Sequence, residues 1–309
     1  MKHVLLFEAY QKLKSLNSSQ ESFLRKSVVK HGYAHRMGSW SVDYSQDPPL
    51  VNVIGDVRIS GRKTLSGVHF GKVDGNFVII HKSSEKNKFE STKGFPIEVS
   101  GGMNIFDNPF GTLKDLPTKK VGGDLNVVAC DLKTLTGCPQ EVGGNLILNG
   151  NYFRTLEGAP RTMKDDSTVS VSNGGGKRRP LLSLEGLPPN LDPDKIETHK
   201  FYSWEDGIPE DFLRDGYREF KKTGSWIPYY IKLDAEYGDK GFYNPEFIDQ
   251  KLNPVGIQKF INQSPEKSLI ILKPYLKMMK ENPRYSSIKF PEHLEKEKDL
   301  LTDLEDIGL

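Results

Sequence analysis

The sequence predicts an α+β chain: a short β-solenoid with an N-terminal helical cap and a C-terminal helical domain. Three observations carry that expectation. A strand-like phrase, V-x-G-[polar or Gly]-[apolar]-x-[V/I/L], starts at Val53, Val73, Val99, Val121 and Val142. A second phrase, [apolar]-x-x-[L/T]-x-[G/D]-x-P, ends at Pro96, Pro117, Pro139, Pro160 and Pro188. From about Lys195 glycine thins out and helix-start signals replace both phrases. Two phrases on one period mark stacked units that bury each other's apolar faces. The expected organisation is a cap over residues 1–50, a solenoid over 51–194 and a helical domain over 195–309.

The N-terminal segment places Leu5, Leu6, Ala9, Leu13 and Leu16 on a helical spacing, which predicts a helix covering the first coil. Successive strand phrases then start 20, 26, 22 and 21 residues apart. Within the central copies, Met103-x-Ile105-x-x-Asn108-x-Phe110-x-x-Leu113 is matched by Leu125-x-Val127-x-x-Cys130-x-Leu132-x-x-Leu135. A third copy runs from Leu146 and Leu148 through Asn151 and Phe153 to Leu156. Alternation on a strand sends two side chains inward. The Asn then turns the chain, its amide satisfying backbone groups freed there. Cys130 replaces Asn as a small, buriable, weak donor, so it reads as a rung and not a reactive thiol.

This spacing resembles the leucine-rich-repeat consensus, L-x-L-x-x-[N/C]-x-L-x-x-L. The array of VGGDL, TLEGAP and SLEGLP phrases looks like the leucine-rich arrays of bacterial and tailed-phage proteins, over roughly residues 50 to 190. A solenoid of this kind is a display surface, whose exposed positions can vary while the ladder stays fixed. Its outer copies decay at HKSSEKNKFES and SNGGGKRRP, as expected of capping repeats. The opening MKHVLLFEAY resembles the N-terminal peptides of proteins packaged into tailed-phage heads. That resemblance implies maturation cleavage after Leu6-Phe7-Glu8 and a place in the virion.

In the C-terminal part, Asn244-Pro245, Asn253-Pro254 and Ser264-Pro265 each set a capping residue before Pro at the first helical position. Ile208 to Phe220 reads as a further helix, and Pro274 is expected to kink or divide its own. Trp226, Tyr229, Tyr230, Tyr237, Phe242 and Tyr243 form the densest aromatic cluster. Such residues are enriched at interfaces but also build cores, and the core reading is preferred.

Composition narrows function. The formal net charge is +2, so no global field draws nucleic acid or an anionic membrane. No apolar run approaches the roughly 20 residues that span a bilayer, and the N-terminus is too short and polar in its apolar part for a secretory signal. With two cysteines, Cys130 and Cys138, a reducing cytoplasm is expected. The glycines before Lys177 lack phosphate-loop spacing, since Arg178 follows the lysine. His31 and His35 lack a metalloprotease pattern, and Glu295 and Glu297 lie in a charged, helix-like run. No catalytic, cofactor or metal residue is therefore expected. The leading expectation is a non-enzymatic interaction or scaffold protein. Its candidate surface is Arg58, Val78, Asn104, Asn126 and Ile147, with Trp226, Tyr229 and Tyr230 at the helical end. A processed virion component is the first alternative, and an enzyme sited in the helical domain the second.

Overall fold

The structure is a computed structural model that describes residues 15–30, 33–81, 89, 91–172, 181–198, 208–238, 245–263 and 265–290. The chain divides into two compact units, Met1–Arg214 and Asp215–Leu309.

The first unit opens with helix α1 (Ser18–Ser27), followed by β1 (Val28–Lys30), β2 (Tyr33–Met37) and β3 (Ser39–Asp43). The coils follow. One sheet takes β4 (Leu50–Ile54), β6 (His69–Asp74), β8 (Glu98–Val99), β10 (Lys120–Val121), β12 (Glu141–Val142) and β14 (Thr162–Met163). The other takes β5 (Asp56–Ser60), β7 (Phe77–Ile80), β9 (Met103–Phe106), β11 (Leu125–Val128), β13 (Leu146–Ile147), β15 (Val169–Ser170) and β16 (Ile196–Glu197). With the cap strands added, the sheets run β14-β12-β10-β8-β6-β4-β3 and β16-β15-β13-β11-β9-β7-β5-β1-β2. From β4 onward neighbours are parallel, one coil apart. This is a β-solenoid.

The phrase expected to form one strand forms two. In VGGDLNV, Val121 belongs to the seven-stranded sheet and Leu125 to the nine-stranded one, with Gly122 and Gly123 at the corner between them. A Cβ on Gly143 would sit 2.1 Å from the Gly122 carbonyl oxygen, so the coils close to this distance only without side chains. The polar residue that follows is a rung of its own. Asp56 Oδ1 accepts from the Asn76 amide at 2.9 Å, and Asn76 Oδ1 from that of Gly102 at 2.7 Å. Asp124 Oδ1 accepts from Asn145 N at 2.7 Å, and Asn145 Oδ1 from Thr168 N at 2.8 Å. Each corner carboxylate or amide thus satisfies a backbone donor one coil on, which otherwise would be costly to bury.

Inward positions fill the core. Phe77, Met103, Leu125, Leu146, Val169 and Ile196 stack in register and are buried. The first coils are aromatic: Phe23, Phe70, Phe77 and Phe95 follow one another at 6.5, 5.7 and 5.1 Å between ring centroids. Later coils use Leu and Val.

Both ends are closed. Helix α1 carries a capping box between Asn17 and Gln20 and buries Phe23 and Leu24. The described cap is not wholly helical, because β1, β2 and β3 extend the two sheets antiparallel. Their pattern mixes polar and apolar residues too evenly to stand out beside the repeats. At the other end, helix α2 (Glu210–Thr223) brings Arg214, whose Nε and Nη2 donate to the Ile196 carbonyl at 3.0 and 2.8 Å. Asn190 Nδ2 donates to the Met163 carbonyl of β14 at 2.9 Å. Side chains thereby occupy edge groups that would template further pairing.

The second unit continues α2 and adds α3 (Ile227–Tyr237), α4 (Pro245–Lys251), α5 (Pro254–Gln263), α6 (Pro265–Leu272) and α7 (Leu276–Glu281). Three of these start at the prolines expected to start them. Pro274 lies in the 3-10 turn Lys273–Tyr275 that separates α6 from α7.

Candidate functional site: the outer face of the nine-stranded sheet

The repeat period decides which outward side chains meet. Arg58 pairs in register with Val78, Val78 with Asn104, Asn104 with Asn126, and Asn126 with Ile147. The five outward residues expected from sequence therefore form one continuous row, and the same register continues into Ser170, which is buried, and Glu197. A second row, two residues along each strand, carries Ser60, Ile80, Phe106 and Val128. Ile80 is 45 % exposed, while Val78, Phe106, Val128 and Ile147 are half-buried.

The polar members of this face are tied to one another. Arg58 Nη2 lies 3.1 Å from Asp56 Oδ2. Asn126 Nδ2 donates to Asn104 Oδ1, and Asn149 Nδ2 donates to Ser170 Oγ at 3.2 Å. The result is a face with aliphatic and aromatic relief, a short amide ladder and little charge.

The outer face of the seven-stranded sheet differs. Lys72, Glu98, Lys120 and Glu141 stand in register, with ion pairs Lys72–Glu98 at 3.5 Å and Lys120–Glu141 at 3.0 Å. The hydrogen bond to Glu141 raises the Lys120 ammonium above its ordinary value. Sequence reasoning missed this alternation, although its signal is plain: each of these residues immediately precedes the Val of a strand phrase. It also missed a coil turn at Thr64–Val68, which lacks the closing Pro. There Val68 N donates to Leu65 O at 3.0 Å, as Cys138 N does to Leu135 O at 2.8 Å in LKTLTGCP.

The aromatic candidates need correcting. Tyr229 and Tyr230 are 1 % and 2 % exposed, so they are core residues and not surface anchors. They pack edge-on to each other at 5.5 Å, and Trp226, half-buried, stacks on Phe220 at 4.9 Å. This cluster is the core of the second unit. Around it, Tyr275 OH donates to Glu219, Lys232 Nζ lies 3.3 Å from the same carboxylate, and Asp234 takes Asn282 Nδ2 at 3.0 Å and Arg284 Nη1 at 3.0 Å.

Cys130 occupies a rung. Its Sγ lies 3.3 Å from the Val128 carbonyl, and its backbone N–H donates to Asn151 Oδ1 at 3.0 Å. Asn151 Oδ1 also accepts from Leu132 N at 3.1 Å, while Nδ2 donates to Val127 O and Leu148 O at 2.8 and 2.9 Å. Burial pushes the Cys138 thiol up to about 12. Leu6, Phe7, Glu8, His31, Lys177, Arg178, Glu295 and Glu297 lie outside the described residues, as does the side chain of His35.

Near the cap, Leu16, Gln20, Pro48, Pro49 and His69 line a pocket of about 250 Å³. Among the described residues no three His, Cys, Asp or Glu side chains gather as a metal site, and no helix is long and apolar enough to cross a membrane. Compared with protein-family models, curated proteins and solved structures, the chain matches none.

Proposed function

We propose that this chain is a non-enzymatic interaction or scaffold protein that binds another protein through the outer face of its nine-stranded sheet. The observation that supports this reading is the in-register row from Arg58 to Ile147. Its aliphatic and amide side chains vary from coil to coil while the inward rungs hold constant chemistry. A nucleic-acid site would draw on many Lys and Arg side chains. This row holds one, Arg58, and Asp56 already engages it.

On the VGGDL, TLEGAP and SLEGLP phrases, we group the chain with leucine-rich-repeat-like solenoids of bacteria and tailed phages, working in the cytoplasm of the cell or infected host. On its N-terminal phrase, the alternative is a head-packaged virion protein, for which the protein recovered from particles would begin at Ala9.

Affinity capture with mass spectrometry tests the binding reading. Wild type, an Asn104→Lys/Asn126→Lys variant and a Lys120→Ser variant of the opposite face are compared from the native cell. Partners are expected with wild type and Lys120→Ser and lost with the double variant. Equal capture by all three would overturn the assignment to this face.

A further inference from the structure

We infer that this face also recognises itself: a second copy of the chain packs on it about a two-fold axis running along the strands, between β9 and β11. The inference rests on the reading of this face as the binding surface.

The row Val78, Asn104, Asn126, Ile147 has nearly the same chemistry read from either end. Its order is branched aliphatic, amide, amide, branched aliphatic. A two-fold interface sets residue i against j and j against i. With the axis between Asn104 and Asn126, Val78 meets Ile147 of the second copy and Asn104 meets Asn126 of the second copy. In the adjacent row, Phe106 meets Val128 of the second copy. Val78 and Ile147, like Phe106 and Val128, set apolar side chains against apolar ones, and the central amides, bonded to each other within each copy, bring no charge. Arg58 faces the β15 strand of the second copy, where Ser170 is buried against Asn149, with Glu197 one strand further along, so no like charges are brought together.

The opposite face is also self-complementary, since Lys72, Glu98, Lys120 and Glu141 alternate in sign. Those charges already pair within the face at 3.0 to 3.5 Å. Stacking it on itself would dehydrate four ions for contacts they already have. The uncharged face carries the smaller penalty.

Size sets the strength. Strands β5, β7, β9 and β11, about 13 Å long, and β13, about 7 Å long, set about 4.8 Å apart, cover about 300 Å² per copy. The pair of surfaces falls below the roughly 1,200 Å² of a standard stable interface. The dimer is therefore weak and concentration-dependent, formed where copies are crowded or held side by side.

Sedimentation equilibrium from low micromolar to near-millimolar protein tests this. Wild type is expected to pass from monomer to dimer. Val78→Lys and Ile147→Glu are each expected to weaken association about tenfold or more. An equimolar mixture of the two should pair again, because position 78 faces position 147. Thermal melts by circular dichroism confirm that each variant is folded. A second readout does not depend on stability: a short bismaleimide should link Asn104→Cys to Asn126→Cys in a mixture better than it links either to itself. Cys130 and Cys138 are buried and do not compete.

A wild type that stays monomeric throughout, variants that dimerise unchanged, or a folded mixture that fails to pair would each overturn self-recognition. If wild type is monomeric yet foreign capture still requires Asn104 and Asn126, only self-recognition falls. If capture too ignores the face, the binding reading falls with it.

Discussion

In the solenoid, the polar side chains at the rungs bind main-chain groups; in the helical unit, Glu219 and Asp234 each gather other side chains around a carboxylate. Asn151 makes four hydrogen bonds, all to main-chain groups. Glu219, Lys232 and Tyr275, or Asp234, Asn282 and Arg284, are side-chain networks. The difference follows from geometry. Parallel coils present the same backbone groups at the same place in every turn, so one residue type at one position serves repeatedly. Helices satisfy their own backbone internally, leaving side chains to find partners wherever packing brings them. The solenoid is therefore sensitive at its rungs, the helical unit at its packing contacts.

The largest effect expected is at a rung. Asn151→Leu is close in volume but leaves Cys130 N, Leu132 N, Val127 O and Leu148 O without the amide. Each unpaired buried group costs about 1–3 kcal/mol, so a loss on the order of 4 kcal/mol or more is expected. Labelling of Cys130 and Cys138 by a thiol reagent reports it, because both thiols are buried until these coils open. Denaturant midpoints should shift for thiol exposure. An unchanged midpoint would mean that water or repacking replaces the amide and that rungs are dispensable.

That sensitivity explains what could be read in the sequence. A ladder demands one residue type at each turn, so the Leu-x-Leu strands, the Asn and Cys turns and the Gly corners repeat visibly. The outward row followed, since its members alternate with the inward ones. The split of VGGDLNV into two strands stayed hidden, because a Gly-Gly pair is compatible with either a strand entry or a corner. Strands β1 to β3 occur once each and repeat nothing. In the helical unit the helices themselves were legible, from the apolar spacing over Ile208 to Phe220, the starts at Pro245, Pro254 and Pro265 and the break at Pro274. Whether Tyr229 and Tyr230 face water or each other depends on how helices pack, and no spacing encodes that.

The second effect tests the packing side of the comparison. Gly216 lies within α2, where a Cβ would stand 2.1 Å from Tyr229 Cδ2. Alanine favours helix over glycine by about 1 kcal/mol, but overpacking a fixed neighbour costs about 1–3 kcal/mol. Tyr229 is fully buried, so its ring has little room to retreat. Gly216→Ala is expected to lower the midpoint followed by Trp226 fluorescence, in a background with Trp40 and Trp204 replaced by Phe. Thiol exposure in the solenoid supplies the contrast. A raised Trp226 midpoint would show that helix propensity outweighs the ring contact.

The smallest effect is a pH dependence that belongs to the side-chain networks. Burial, then the hydrogen bond to Glu219, pushes the Tyr275 phenol up to about 12, against about 10 when unfolded. Between those values the unfolded chain has released this proton while the folded unit still holds it. The unfolded state then binds fewer protons, so stability falls as pH rises. The contribution is whole below about pH 10 and is lost as pH climbs through about 12. Tyr275→Phe has no proton to lose, so its Trp226 midpoint should decline less steeply over that window. Part of the slope should survive, because burial also raises the Tyr229 phenol and that group remains. An identical slope in wild type and variant would show that Tyr275 titrates alike in both states, and that its bond to Glu219 holds nothing in place.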